Sequence, residues 1–536
     1  MTIRNLSFDK TGYFSKLVVD YLNQSTNLNG LYQYAPTVEG IKDAINDRRN
    51  YPVNRPLLVQ QLRYAYDAVS LSEKQKNNLD LLLQENVFTV TTAHQPNIFT
   101  GPLYFIYKII YAIKMADELN TKFPDNHFVP VYYIGSEDAD LDELNHIYIK
   151  EEKIVWNTTQ TGAVGRMRVD ESLIQIIEKI YGQLGIYPYG EELKQIFLKA
   201  YQKCSTIAEA TFVLVNHLFK EQGLLVVNPD NTAYKKSFIP IIEKEIKEQF
   251  SLAALQPAKA VLDQHYKVQA NGREINLFYL TDDKRERIEM VKQSDGVVGY
   301  KIHNTSLHFT LEQLLKHVNE FPERFSPNVI TRGLLQETIL PNIAYIGGGG
   351  ELAYWLELKQ VFAAANVFYP QLLLRNSFMV YYTHQEALMN KLELTVEDIF
   401  SPLDMLLNNY VKAHAKDDYT LVKELKEIKE FYDALAEKTK QQDLSLSQHV
   451  AALQKKHTDK LFQLEKKLFK SQKRKFINTA SQMDKLKHQL FPNNQLQERV
   501  YNFSVCYSKQ GADFIKMIYQ ATEVFGKEFI IIKLEE

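Results

Sequence analysis

FTVTTAHQPNIFTGPLYFIYKIIYAIKMAD, Phe88–Asp117, decides the fold. It opens on β-branched and aromatic residues, crosses a polar loop and ends in a long amphipathic run. The pattern predicts a strand over Phe88–Thr92 and a helix beyond the loop. Thr100, Gly101 and Pro102 are helix-start residues, since Thr or Gly caps and Pro is tolerated where no amide proton is needed. Leu103, Ile106, Ile110 and Ile113 then share one face, and Phe105, Ile109, Ala112 and Ala116 the adjacent one. So wide an apolar surface packs against a sheet. The turn from strand to helix leaves amide protons unpaired above that sheet, a setting for a phosphate or carboxylate. His94-Gln95-Pro96-Asn97 adds an imidazole and two amides there. An ordinary βα turn, whose His and Gln only satisfy backbone groups, fits the same residues equally well.

Outward from this stretch, FVPVYYIG (Phe128–Gly135) reads as a second buried strand and runs straight into SEDADLDELNH (Ser136–His146). Two such strands joined by a helix make a βαβ unit, hence a parallel sheet with a right-handed crossover. Ligands of such sheets bind beyond the carboxyl ends of the strands, where the His94 and Glu137 clusters both fall. Glu137, Asp138, Asp140, Asp142 and Glu143 are followed by His146, and Asp142 and His146, four apart, are expected on one helix face. The cluster suits Mg²⁺, an ammonium group, or merely an acidic first turn facing water. Carboxylates that hold or deprotonate an amine are the preferred reading, because Mg²⁺ sites use few protein ligands.

A third stretch, NVITRGLLQETILPNIAYIGGGGELAYWLELK (Asn328–Lys359), sets Arg332, Gln336 and Glu337 in an otherwise apolar run. Glycines 347–350 let the backbone approach a ligand, although the spacing is neither a dinucleotide fingerprint nor a Walker loop. A helix is expected from Glu351, with Glu351, Tyr354 and Trp355 on or near one face. Leu224–Asn228 and Phe368–Leu374 are further strands, the latter ending at Arg375 and Asn376.

With 536 residues the chain is expected to hold several domains, and 45% apolar and 24% charged residues place it among globular proteins. A net charge of −2 argues against wholesale binding to nucleic acid or membrane. Cys204 and Cys506 are too few for a disulfide framework and fit a reducing cytoplasm. The N-terminus lacks the apolar core of a signal peptide, and no membrane span is expected. The expected division of the chain is a core (1–150), a connecting insertion (151–222), core (223–256), a second, strand-rich insertion (257–327) and core (328–384). A helical coiled-coil domain (385–499) and a return to the core (500–536) follow. Leu421, Leu425, Ile428, Tyr432 and Leu435 step by four and three, as do Leu446, Val450 and Leu453, then Leu461, Leu464 and Leu468, giving heptad-like seams. The basic run Lys470–Lys475 is read as a solvated coiled-coil face rather than a nucleic-acid site. Phe529–Leu534 is expected as a strand returning to the core sheet.

HQPNIFTGPLYFIYK (94–108), PVYYIGSEDADLDELNH (130–146) and LLQETILPNIAYIGGGGELAYW (334–355) together resemble the cysteine-adding enzymes of bacillithiol biosynthesis, the bacillithiol synthase or BshC family. The resemblance covers essentially the whole chain. It implies an α/β, Rossmann-like parallel-sheet core of the class I synthetase and nucleotidyltransferase kind, with insertions and a coiled coil that pairs two chains. The implied activity joins cysteine to the amino group of glucosaminyl malate, with room for ATP, and Mg²⁺ beside it, to activate the cysteine. His94 and the loop amides would stabilise negative charge, Glu137 or Asp138 would take the amine proton, and Arg332 or Arg375 would hold the malate carboxylates. Gln95, Asn97, Thr100, Gly101, Ser136, Asp140 and His146 complete the expected site from the first two stretches. Glu337, Gly348, Gly349, Glu351, Tyr354, Trp355 and Asn376 complete it from the third and beyond. No metal ligand is assigned. The loop departs from the His-x-Gly-His of synthetases, and no Lys-Met-Ser-Lys-Ser equivalent is present. A nucleotide- or tRNA-handling protein of the same superfold, or a coiled-coil scaffold, are the alternatives.

Overall fold

The computed structural model describes residues 2–292, 298–441 and 443–535. Its centre is a five-stranded sheet of β1 (Val87–His94), β2 (His127–Ile134), β3 (Leu225–Val227), β4 (Asn342–Gly347) and β5 (Gln371–Leu374). All five run parallel, in the order β5-β4-β1-β2-β3. Every residue of β1 except His94 is buried, as a strand covered on both faces requires. The chain steps outward from β1 to β3, then returns to lay β4 on the other side of β1. The crevice between the ends of β1 and β4 is therefore the switch point of the sheet.

Helix α1 (Tyr104–Lys122) packs on β1 and β2, and its buried positions include a lysine, Lys108. The loop before it is unusual. Phe99, Thr100 and Gly101 all take positive φ, 49°, 70° and 64°, and at Thr100 a β-branched side chain makes that conformation costly. A Cβ on Gly101 would sit 2.7 Å from that of Asn97, so glycine is required. Asn502, buried and far along the chain, holds this loop by donating to the carbonyls of Phe99 (2.8 Å) and Gly101 (2.6 Å). Tyr201 accepts the Phe99 amide proton at 2.6 Å.

Helix α2 (Thr232–Glu248) follows β3. The strand-rich insertion forms a separate antiparallel sheet from Leu277–Leu280, Arg285–Lys292, Val298–Ile302, His308–Phe309 and Phe325–Pro327. Its expected start at 257 falls inside a helix, Phe250–Leu262. Helices α3 (Arg332–Ile339) and α4 (Gly349–Trp355) flank β4.

Three expectations are corrected. The closing strand, Glu528–Leu534, does not join the central sheet; it lies between Thr2–Ser7 and Phe378–Tyr382 in a sheet of its own. Its apolar run shows that it is buried but not against what. Asp142 and His146 do not share a helix, because the helix there spans only Leu141–Leu144 and His146 begins a strand. The heptad positions meet within one chain, with Tyr432 and Val450 buried, Leu421, Leu425, Ile428, Leu435 and Leu453 half-buried and Leu446 exposed. Helices α5 (Val422–Lys440) and α6 (Leu444–Lys475) form an antiparallel hairpin, crossed by a Tyr432–His457 hydrogen bond and a Gln454–Asp433 bond of 3.0 Å. In the basic run, Lys473 and Lys475 pair with Asp404 and Asp417.

Candidate active site

All five central strands end at one cleft of about 540 Å³. β1 contributes His94 and Gln95, β2 leads to Ser136, Glu137 and Asp138, and β3 to Pro229; Gly348–Glu351 follow β4, and Arg375 follows β5. The inserted sheet forms the facing wall with Phe278, Arg285 and Arg287. Basic side chains outnumber carboxylates along the lining, so the cleft favours anions.

At the switch point the charges are buried and paired. Lys108 Nζ donates to the Ala93 carbonyl and to Glu351 Oε2 (2.6 Å). Glu351 also accepts from the Tyr345 hydroxyl (2.6 Å) and from the Gly348 amide (2.9 Å). Burial opposes ionisation of Glu351, but Lys108, Arg332 and that amide overcome it and hold the carboxyl at about 2. Arg332 donates to the hydroxyls of Tyr345 (3.0 Å) and Tyr354 (2.5 Å). Arg375 makes a two-pronged pair with Glu498, 2.9 and 2.8 Å, with side chains only 4% and 1% exposed. His94 packs edge-on against Tyr104 and Phe105. Burial, then the neighbouring Lys108, lowers its imidazole to about 3, so it is neutral at ordinary pH. Its Nε2 is buried without a partner among the described residues, as is Arg375 Nε. Such atoms are costly to leave unpaired unless a ligand completes them.

Across the cleft, Gln95 Nε2 donates to Asp138 Oδ2 at 3.1 Å, joining the β1 loop to the acidic cluster. Ser136 donates to Asn228 at 2.6 Å. Glu137 is bound to Lys235, whose ammonium also donates to the Phe325 carbonyl at 2.7 Å. Burial raises the Glu137 carboxyl while Lys235 pulls it down. Asp138 is half-buried and carries the accessible carboxylate of the pair.

The family model described as "Bacillithiol biosynthesis BshC, N-terminal Rossmann-like domain" matches residues 1–376, and "Bacillithiol biosynthesis BshC, C-terminal coiled-coil domain" matches 378–534. The chain belongs to the BshC family. Among its relatives, a protein of Flavobacterium johnsoniae named "Putative cysteine ligase BshC" is 39% identical over 99% of both chains. A protein of the same name from Flavobacterium psychrophilum is 40% identical over 98% of this chain and 99% of its own. One from Bacillus mycoides is 27% identical over the full length of both.

In this BshC chain the cleft brings together His94, Gln95, Ser136, Glu137, Asp138, Arg332, Gly348, Gly349, Glu351, Tyr354 and Arg375. The other expected residues stand elsewhere. Asn97 reaches the Glu143 carbonyl (3.3 Å), and Thr100 and Gly101 belong to the strained turn below the cleft. Asp140 and His146 continue along the surface after β2, and Asn376 accepts the Glu523 amide proton at 2.9 Å. Glu337 lies beneath the sheet, bonded to Gln336 and Asn342 at 2.8 Å each, and burial raises its carboxyl to about 7. Trp355 points away from Tyr354 and stacks on Tyr345 with ring centres 4.3 Å apart.

Sequence reasoning missed Lys108, Lys235, Arg285, Arg287, Arg499 and Tyr104. Lys108 had a signal, as a lone charge in the most apolar part of α1, whereas Lys235 is followed by Lys236 and had none.

Proposed function

We propose that this cleft joins cysteine to the amino group of glucosaminyl malate, an amide-forming ligation that completes bacillithiol in the cytoplasm. The supporting observation is the Gln95–Asp138 hydrogen bond, which sets a carboxylate fit for an amine against an anion-favouring switch point in one cleft. The cysteine carboxyl group lies at the β1–β4 end, where neutral His94 donates from Nε2 to the oxygen that gains charge. Asp138 holds the acceptor ammonium group and takes its proton; the freed nitrogen attacks the carboxyl carbon, the C–N bond forms and the C–O bond to the activating group breaks.

ATP is the activating nucleotide of this reading, and the donors at the same end suit its phosphates. Arg375 Nε is unpartnered there, and a Cβ on Gly348 would lie between Glu351 and Arg375, 3.7 and 3.9 Å away, in space the glycine leaves open. When bound, ATP supplies the leaving group on the cysteine carboxyl oxygen.

Purified protein with cysteine, glucosaminyl malate and ATP, followed by mass analysis, tests the reading. A product of the two masses less one water is expected, and it should fail to form without nucleotide. Absence of product with all three present overturns the ligase; product without nucleotide overturns the activation step.

A homodimer through the helical hairpin belongs to the same reading. Phe431, Phe462 and the seam residues Leu446 and Leu464 remain exposed on it. A second chain covering them is expected, and light scattering that shows a full-length monomer at micromolar concentration overturns it.

A further inference from the structure

The inserted sheet presents a cation pair that the core chemistry does not use. Arg285 and Arg287 alternate along one strand, so their side chains leave the same face of the sheet. Phe278 pairs with Arg287 across the adjacent strand and sits beneath both guanidinium groups, 3.9 Å from Arg285 and 6.0 Å from Arg287. Arg285 is pinned by donating from Nε to Ser326 (3.3 Å) and from one terminal nitrogen to the Pro327 carbonyl (3.0 Å). Its other terminal nitrogen has no such partner among the described residues. Arg287 is exposed and has no ion pair among the described residues. All three side chains line the cleft that holds His94.

The guanidinium groups expected to clamp the malate are occupied. Arg375 spends its two terminal nitrogens on Glu498, and Arg332 is engaged by Tyr345, Tyr354 and Glu351. Burial lowers the Arg285 guanidinium, by contrast, and the carboxylates of Asp138 and Glu137 oppose that shift. An acceptor carrying both an ammonium group and carboxylates thus meets opposite charges within one cleft.

We propose that Arg285 and Arg287 form a carboxylate-binding subsite on the inserted sheet, which holds the acidic tail of the acceptor while Asp138 meets its amine. This rests on the reading of the cleft as a cysteine ligase. The insertion, and not the Rossmann-like core, then selects the acceptor. A planar guanidinium platform stiffened by an aromatic ring suits a dicarboxylate, since each carboxylate accepts two parallel N–H bonds.

The test compares glucosaminyl malate with methyl glucosaminide, which lacks the malate, in wild type, R287Q and R287K. In R287Q the preference for the malate-bearing acceptor, as a ratio of kcat/KM values, falls roughly 10-fold or more through KM, as loss of a charge-assisted bond implies. R287K recovers only part of it, because an ammonium group cannot bind two oxygens in parallel. L-malate alone is the second probe: calorimetry should show it binding wild type and losing affinity by a similar factor in R287Q. A wild type that couples neither acceptor overturns the ligase reading. A wild type that couples, with the same acceptor ratio and the same malate affinity in R287Q, overturns the subsite alone.

Discussion

The two walls of the cleft are built from the same residue types to opposite effect. On the core wall Lys108 is buried against the half-buried Glu351, and Arg375 and Glu498 are buried against each other. On the inserted wall Arg287 stands in solvent, and among the described residues Arg285 is held by a hydroxyl, a carbonyl and a ring. A buried pair recovers its desolvation cost only through its partner, so the core wall is rigid and intolerant of loss. An exposed cation has little to lose from mutation and keeps its donors for a ligand. The core wall therefore fixes where bonds are made and broken, and the inserted wall is where acceptor choice can vary without cost to the fold.

The largest expected effect breaks the core wall. Glu498→Gln leaves Arg375 buried without its counter-charge and should cost about 3–5 kcal/mol of unfolding free energy. Glu498 also accepts the Phe378 amide proton at 3.2 Å, which ties the start of the C-terminal sheet to the same pair. Urea unfolding measures the loss, and the double variant R375M/E498L should regain most of it. An E498Q protein as stable as wild type would show that the pair is not what holds this wall.

Next come the two groups facing the reacting atoms. His94→Ala and Asp138→Asn should each lower coupling by roughly 10²-fold or more, the first by losing a donor to developing charge, the second by losing the base. Because both act on one transition state, the double variant should lose less than the product of the single losses. Glu137→Ala is a poorer probe, since it strands Lys235, a fully buried ammonium group. Single-turnover rates and melting temperatures together separate chemistry from folding. Asp138 variants that turn over normally sink the assignment.

His94 gives the pH dependence. Its folded value of about 3 lies below the ordinary 6.5, so between those limits the unfolded chain binds a proton that the folded chain refuses. Stability should rise with pH across that window and fall as pH drops through it. Glu337 opposes this: its carboxyl is raised from 4.5 to about 7, and its contribution declines as pH rises between the two. The difference between wild type and His94→Gln, and not the raw curve, therefore isolates the imidazole. A difference that stays flat from pH 6 to pH 4 would mean that His94 is solvated.

The core wall was the more legible of the two in sequence, because its signals are local. The β1 strand, the α1 helix and the acidic run after β2 each announce themselves through periodicity or composition within a few residues, and together they place His94, Gln95 and Asp138 at strand ends. What escaped depends on distant partners. Glu351, Tyr354 and Trp355 look alike on a helical wheel, and only the packing of Tyr345 decides that Trp355 turns inward. Asn502 follows the coiled coil, and nothing near it marks it as the support of the 99–101 turn. Arg285 and Arg287 read as the solvent face of an ordinary antiparallel strand. Their meaning comes from the wall they oppose, and an exposed arginine has the same local pattern whether or not a cleft lies before it.

The smallest expected effect is the sharpest test of the contrast. Arg287→Gln removes a full charge from the cleft, as Arg375→Gln would, yet its cost to stability should stay within about 0.5 kcal/mol, as for surface positions free of caps, cavities or buried pairs. The reasons are local. The guanidinium is exposed, no carboxylate among the described residues is left unpaired behind it, and Phe278 keeps Arg285 above its ring. Its backbone carbonyl still accepts the His303 amide proton at 2.9 Å, so the strand pairing is untouched. Removing one cation from a basic cleft also relieves repulsion from Arg285, which offsets part of any packing lost. Urea unfolding of wild type, R287Q and R375Q at one pH and salt concentration checks it. Near-coincident curves for wild type and R287Q, with R375Q far below both, are expected. If R287Q instead falls with R375Q, the fold depends on the inserted wall no less than on the core wall, and acceptor choice is not carried by side chains free to change.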